Sequence, residues 1–313
     1  MKTIKYYLAL LCIMIAVVFS LAGCSSSVAS TSISNGSSHT ATTWHGESLD
    51  VYTLDIGQGD AHLIKIGDEY TLIDTGDVDH REAIVKQLKS LHVNRLKNVI
   101  ITHPHADHLG GFYAIAKAIP IENVYDNGFE AKSTVYKTYR KELNKMGITP
   151  KALRKGDIVT LGDGAVFEVY APWDTELTDK KGKADLNNNS IVGKLVAGKF
   201  SMLFTGDAEK EEEARLIKEE NTKLSSRVLK VGHHGSKTSS SKDFIRSVRP
   251  EIAVISCGLH NDYGHPHKES LQRLLNDGKA VSPTKSITIY RTDTMGQIHI
   301  HTNGDSWSVT TER

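Results

Sequence analysis

Residues 99–111, VIITHPHADHLGG, place three histidines and an aspartate within six positions, directly behind an apolar run and directly ahead of two glycines. Val99, Ile100 and Ile101 predict a strand covered on both faces. Where that strand ends, His103 and His105 sit two apart in extended chain, so they share a face and can grip one ion. Asp107 and His108 fall in the following turn and can face a second ion beside it. Pro104 stiffens the segment, and Gly110 and Gly111 let the backbone pass closely into a helix. The competing reading, a solvated loop that happens to be rich in histidine, does not account for an H-x-H-x-D-H order. Any fold of this chain must end a buried strand at a polar rim and open a helix there.

The surrounding pattern supplies such strands. LDVYTLD, AHLIKIG and YTLID alternate with period two between glycine-bearing turns and predict an antiparallel meander. REAIVKQLKSLH spaces Ile84, Leu88 and Leu91 as one helix face, and LKNVIITH returns as a strand. Helical patterns come next over residues 109–118 and 135–146. The second half has the same alternation of elements, with VFEVYAP, a hairpin from SIVGKLV to FSMLFTG, a helix over AEKEEEARLIKEE, the strands RVLKV and EIAVIS, and a helix over KESLQRLLN. Two strand-rich halves with interspersed helices fit an α/β sandwich of two sheets covered outside by helices.

The N-terminus stands apart from that body. Lys2 and Lys5 precede an apolar run over residues 6–21 that closes in LAGC, a pattern similar to bacterial lipoprotein precursors. The resemblance implies a signal peptide over 1–23, acylation of Cys24, an extracytoplasmic location and membrane attachment through the lipid. Residues 24–46 are rich in serine and threonine and read as a flexible tether. Residues 47–313 are long enough for one large domain. Of the three cysteines, Cys12 leaves with the signal and Cys24 carries lipid, so Cys257, inside EIAVISC, is left without an intrachain partner and reads as a core residue. With 38 basic and 37 acidic residues there is no global positive field, so any nucleic-acid site has to be local.

Further side chains suited to chemistry sit where an apolar strand gives way to glycine: Asp74 in LIDTG, Asp207 in LFTGD, and His233 with His234 in LKVGHHGS. His265, in NDYGHPH, comes after the strand that carries Cys257. The order DIGQGDA, LIDTG, THPHADHLGG, NNNSIV, LFTGD, LKVGHHGS and YGHPH resembles the metallo-β-lactamase superfamily and, more narrowly, the hydrolase domain of ComEC-type competence proteins. Here the domain stands without the many-helix channel that accompanies it in full competence proteins, so a role in DNA uptake is not carried over.

The resemblance implies an αββα sandwich with a two-metal site at one edge of its sheets. His103 and His105 would hold the first ion and Asp107 and His108 the second. Asp207 would bridge them, and one of His233 and His234 would complete the second site, His233 being favoured because it lies closer to the strand end. Asp74 would orient a ligand histidine. No histidine occurs over residues 109–232, where many superfamily members supply one to the first ion; NNNS, residues 187–190, stands there instead. Asn189 or a water in that place would make the first site harder and admit manganese or magnesium beside zinc. Two ions about 4 Å apart can share a water, lower its pKa and stabilise the oxygens of a phosphoryl transfer. Asp107 is then a candidate proton acceptor, and His265 either an acid or phosphate contact or a structural turn histidine.

These features favour an extracytoplasmic metallo-hydrolase, a phosphodiesterase or nuclease acting on DNA, with no obligate protein partner evident. The alternatives are a β-lactam or lactone hydrolase and a non-catalytic lipoprotein that binds DNA or envelope polymer. The segment 132–155, with eight cations against one acid, Glu142, reads either as a phosphate groove or as a solvated helix face. His299 and His301 in QIHIHT share a strand face, but nothing near them in sequence completes a metal site.

Overall fold

The computed structural model describes residues 43–281 and 286–313. The expected signal (1–23), Cys24 and most of the expected tether lie outside the described residues. Among the described residues no helix is long and apolar enough to cross a membrane. Trp44 Nε1 donates to the Asn303 carbonyl at 3.2 Å and the His45 amide to the Asp163 carbonyl at 2.8 Å. Contacts with the domain therefore begin ahead of residue 47, because one large aromatic finds a seat that the serine-rich composition around it does not announce.

The first half runs β1 (Leu49–Thr53), β2 (His62–Ile66), β3 (Glu69–Ile73), α1 (Arg81–Ser90), β4 (Leu96–Ile100), α2 (Ala106–Leu109), α3 (Phe112–Ala118), β5 (Ile121–Asp126), α4 (Thr134–Met146) and β6 (Lys151–Ala152). The second runs β7 (Ile158–Gly162), β8 (Ala165–Ala171), β9 (Val192–Ala197), β10 (Phe200–Phe204), α5 (Lys210–Glu220), β11 (Val228–Lys230), α6 (Lys242–Val248), β12 (Ile252–Ile255), α7 (Lys268–Val281), β13 (Thr288–Arg291), α8 (Thr292–Met295), β14 (Ile298–Thr302) and β15 (Trp307–Thr311). Among the described residues these strands form one sheet ordered β15-β14-β1-β2-β3-β4-β5-β6 and another ordered β13-β12-β11-β10-β9-β8-β7. The meander β1-β2-β3 and the hairpin β9-β10 are antiparallel, while β3-β4-β5 and β10-β11-β12-β13 are parallel.

Three apolar layers explain why the strands read as continuous hydrophobic runs. Ile64, Ile100 and Ile300 of the first sheet meet Phe167, Met202, Val228 and Val254 of the second in a common core. Leu63, Leu72 and Val99 point the other way, against Ile84 of α1, Phe112 of α3 and Tyr139 of α4. Leu203 and Leu229 likewise turn outward onto Leu216 of α5 and Phe244 of α6. A strand buried on both faces needs apolar side chains at every position, not every second one. Cys257 is buried and free, as its apolar context predicts. The result is the expected α/β sandwich, helices outside and two mixed sheets within.

Parallel strands bring their carboxyl ends to one rim. Asp74 comes directly after β3, His103 after β4, Asp207 after β10, His233 and His234 after β11, and Ser256 after β12. Ligand sites in α/β proteins form at such rims because helix-covered strands end there in exposed, rigidly held loops. Backbone bonds lock the loops together: Asp74 N to Ile100 O at 2.8 Å, Thr75 N to His108 O at 2.6 Å and His233 N to Gly206 O at 3.1 Å. Gly111 is required by this closeness, since a Cβ there would collide with the Thr75 carbonyl.

Candidate metal centre

Asp207 lies at the centre of the rim. Its Oδ1 is 3.2 Å from His108 Nε2 and 3.7 Å from His234 Nε2, while Oδ2 is 3.5 Å from His233 Nε2 and 3.8 Å from His103 Nε2. One carboxylate oxygen thus faces each half of the cluster, the disposition required of a bridge between two ions. His105 Nδ1 stands 3.0 Å from His103 Nε2, and Asp107 Oδ2 stands 3.2 Å from His234 Nε2. Ligand atoms of Asp107, His108, Asp207 and His234 all fall within 4.8 Å of one another.

Outer contacts fix which ring nitrogen faces inward. His108 Nδ1 pairs with Asp74 Oδ2 at 2.8 Å, and Asp74 also accepts from Thr102 N and Thr102 Oγ1, both at 2.7 Å. This is the geometry of a carboxylate orienting a ligand histidine. His234 Nδ1 lies 2.9 Å from the Ser256 carbonyl, and His233 Nδ1 lies 3.0 Å from Glu209 Oε1. In each case the nitrogen so occupied leaves Nε2 for the centre. Asp74, His233 and His234 are held at positive φ, a strained backbone that the packed rim enforces.

The donors fit a cation. Asp207 Oδ1 and His108 Nε2 are buried without a hydrogen-bond partner, although they approach to 3.2 Å. Buried polar atoms rarely go unsatisfied, and a metal ion accounts for both. Burial alone would lower His234, yet Asp207, Asp60 and Asp107 around it push its pKa up to about 10. The carboxylates therefore create a strong demand for positive charge at this point. His103 titrates well below the ordinary histidine range, through burial and then through the charge of His108.

Two expectations are corrected by this geometry. His234, not His233, stands with Asp107 and His108, while His233 faces the Asp207 oxygen that His103 faces. Two consecutive left-handed residues turn the chain so that their side chains splay to opposite sides, and nearness to the strand end does not select the inner one. Asn189 does not reach the cluster: its amide donates to Leu177 O and Asp185 O, both at 2.7 Å, and accepts from Leu177 N at 2.9 Å. The next residue, Ser190, lies behind His103, its Oγ 3.4 Å from the outward nitrogen Nδ1. The premise of a nitrogen-poor first site thus loses its geometric ground, since His233 approaches it from a later loop.

His265 lines the same cleft, its ring 5.5 Å from that of His233 and 5.7 Å from that of Tyr263. Burial, then the neighbouring His234 and His233, lower its pKa to about 4, so it is neutral at neutral pH. Two further contributors lie inside the quoted motifs, which do not announce their role, and a third lies outside them. Asp60 is buried with Lys230, Nζ to Oδ2 at 2.5 Å, and Asp60 Oδ1 is 3.4 Å from His234 Nδ1. The third, Glu209, orients His233. A lysine inside the apolar strand RVLKV is the available signal, because a buried strand carries a charge only with a partner.

The profile of the metallo-beta-lactamase superfamily matches residues 54–259. The chain belongs to the metallo-β-lactamase superfamily. It is a metal-dependent hydrolase of that superfamily, and Asp207, His108 and their neighbours are where its donors converge. Over 268 residues it is 31% identical to ComE operon protein 3 of Bacillus subtilis (strain 168), covering 80% of this chain and 32% of that protein. Over 249 residues it is 33% identical to Competence protein ComA of Neisseria gonorrhoeae, covering 79% and 31%. The chain spans about a third of the length of these curated relatives. In fold it is similar to the metallo-beta-lactamase fold protein YhfI from Bacillus subtilis, with a TM-score of 0.52 at 13% identity over 79% of this chain and 98% of that one.

Proposed function

We propose that the protein is a metal-dependent phosphodiesterase that cleaves DNA outside the cytoplasm, held to the membrane through lipid on Cys24. The setting of the donor cluster carries the reading. It forms the floor of a cleft of about 550 Å³ whose walls include Lys132, the exposed Tyr263 and His265. A second cleft, lined by Lys137, Arg140 and Lys141 of α4, shares Ala131 with the first. Among the described residues none of these three cations has a carboxylate within ion-pair distance, so their charge is free to track a phosphate backbone. A base can stack on Tyr263 at the mouth. The name of the similar gonococcal competence protein supports a nucleic-acid substrate.

Divalent ions bound there would supply charge neutralisation and a polarised water for phosphoryl transfer. Around them the chain's own groups have separate tasks. Asp207 would bridge the two halves, with His103, His105 and His233 on one side and Asp107, His108 and His234 on the other. Burial alone would raise Asp107, but the charges of His108 and His234 hold its carboxyl far below the usual range, so it is ionised and open to the cleft, an anionic donor for an ion and only a weak base. Neutral His265 offers a hydrogen bond to a phosphate oxygen without adding charge.

The test is a reload of metal-free protein with manganese, magnesium or zinc, assayed on DNA, on bis-p-nitrophenyl phosphate and on a chromogenic β-lactam. Phosphodiester cleavage with at least one metal is expected. Reversing Lys137, Arg140 and Lys141 to glutamate should weaken DNA binding and flatten its salt dependence by about two to three phosphates' worth of slope, leaving the small ester untouched. Lactam hydrolysis with zinc and no phosphodiester cleavage with any metal overturns the proposal, as does inertness with every metal.

Membrane attachment has its own test. Cys24→Ala is expected to leave the protein soluble or unprocessed, because acyl chains are the anchor this reading provides. Detergent-phase partitioning with the mass of the partitioned chain checks it; retention in the detergent phase of a variant cleaved of residues 1–23 would exclude the lipid anchor.

A further inference from the structure

A second group of metal-grade side chains stands on the outer face of the first sheet, away from the strand-end rim. Strand β14 carries His299 and His301 two residues apart, and β1 pairs with it so that Asp50 lies opposite His301 and Tyr52 opposite His299. The intervening Val51 and Ile300 point into the core, which forces these four side chains to the other face. His299 Nε2 and His301 Nδ1 both approach Asp50 Oδ1 at 2.8 Å. The carboxylate that completes the histidine pair is 249 residues from His299 in the chain, which is why the local sequence offers none.

We infer that Asp50, His299 and His301 form a second metal site, separate from the strand-end centre, that takes a divalent transition ion of the zinc, nickel or cobalt kind. The three donor atoms lie within 4.8 Å of one another. Ligands about 2.1 Å from a tetrahedral ion stand about 3.4 Å apart, so small ring rotations that part the nitrogens from the oxygen admit the ion. Two imidazoles with one carboxylate match borderline transition ions and disfavour calcium or magnesium, which take oxygen donors.

The platform is rigid where it has to be. The His299 ring stacks flat on Tyr52, with centroids 4.3 Å apart and planes 9° from parallel, and its Nδ1 faces Thr310 Oγ1 of β15 at 3.5 Å. Nε2 is therefore the nitrogen presented to Asp50. The side chains are 17% (Asp50), 29% (His299) and 49% (His301) exposed, so an ion can enter from solvent and keep water at its open position. An ion held there ties the first strand of the domain to the C-terminal hairpin β14-β15, a staple between distant parts of the chain. Its role is stabilising, since the site lies off the cleft and touches none of the groups placed in catalysis.

Cobalt binding to the purified protein, read by dialysis and by visible absorption, tests the inference. Asp50→Asn keeps an oxygen to accept from the histidines and removes the anionic ligand; His301→Gln removes a nitrogen. Each is expected to lose one cobalt equivalent, or to bind it at least about tenfold more weakly, and to show a smaller zinc-dependent rise in melting temperature than the parent, the strand-end centre keeping its share, while hydrolysis is unchanged. In an Asp207→Ala background the same cobalt equivalent should persist. Unchanged stoichiometry and unchanged zinc stabilisation in both variants overturn the site, and so does complete loss of bound metal in Asp207→Ala alone. Melting temperatures in chelator, equal to the parent's, separate ligand loss from misfolding.

Discussion

Replacing Asp207 with alanine is expected to lower turnover by at least about a thousandfold while leaving the fold in place. Among the described residues no other side chain presents one oxygen to His108 and His234 and the other to His103 and His233. Its removal leaves the two halves of the cluster with no shared carboxylate, and the preorganised charge of a metal centre is where such a site develops its rate. The loop itself should survive, because Ala208 N still bonds Thr205 O at 3.0 Å and His233 N still bonds Gly206 O. Bis-p-nitrophenyl phosphate hydrolysis with matched metal analysis and circular dichroism checks the prediction. His299→Ala, off the cleft, serves as the control that keeps its activity. Equal turnover in the two variants would remove Asp207 from the centre.

The parts of this centre that can be read in the sequence are those whose constraint is local. Val99 to Ile101 must be a covered strand, and the turn that ends a covered strand at a polar rim is held rigidly; His103, His105, Asp107 and His108 are found in that one turn. The antiparallel meander and the hairpin β9-β10 are equally legible, since their period and turn glycines lie within a few residues of each other. Non-local decisions are not. Whether His233 or His234 faces inward depends on two left-handed backbone angles that only the packed loop imposes. The place of Asn189 in the motif order draws it toward the site, yet loop closure onto Leu177 and Asp185 claims its amide.

A buried charge can be noticed in sequence, but its partner cannot. Lys230 closes an apolar strand, and its counter-ion Asp60 comes from the β1-β2 connection at the opposite end of the chain's order. The same holds for Asp50 and its two histidines. In each case register between strands far apart in sequence brings the pair together, and register is a property of the assembled sheet.

Replacing Lys230 with methionine is expected to destabilise the metal-free protein by about 3–5 kcal/mol, because one member of a fully buried ion pair is left without its partner. Both side chains are 1% exposed, and Lys230 Nζ also donates to the Gly206 carbonyl at 3.3 Å, next to Asp207. Burial alone would raise Asp60; Lys230 first, then His234, hold it well below the usual carboxylate range. A carboxyl depressed in the folded state stabilises the protein above its unfolded pKa, and that contribution is lost as pH falls through the folded value. In Lys230→Met the largest charge opposing burial is gone and His234 is left as the main cation beside Asp60, so the carboxyl rises and the protonated acid, which is neutral and tolerated, is reached at a higher pH. The stability gap between parent and variant should therefore narrow as pH is lowered from 7 toward about 4. Adding Asp60→Asn to Lys230→Met should recover much of the loss at pH 7, because it removes the stranded charge itself. Urea denaturation of chelator-treated protein across that pH range measures all three. A gap that is independent of pH, with no recovery in the double variant, would mean that Lys230 acts through its packed side chain and not through its charge.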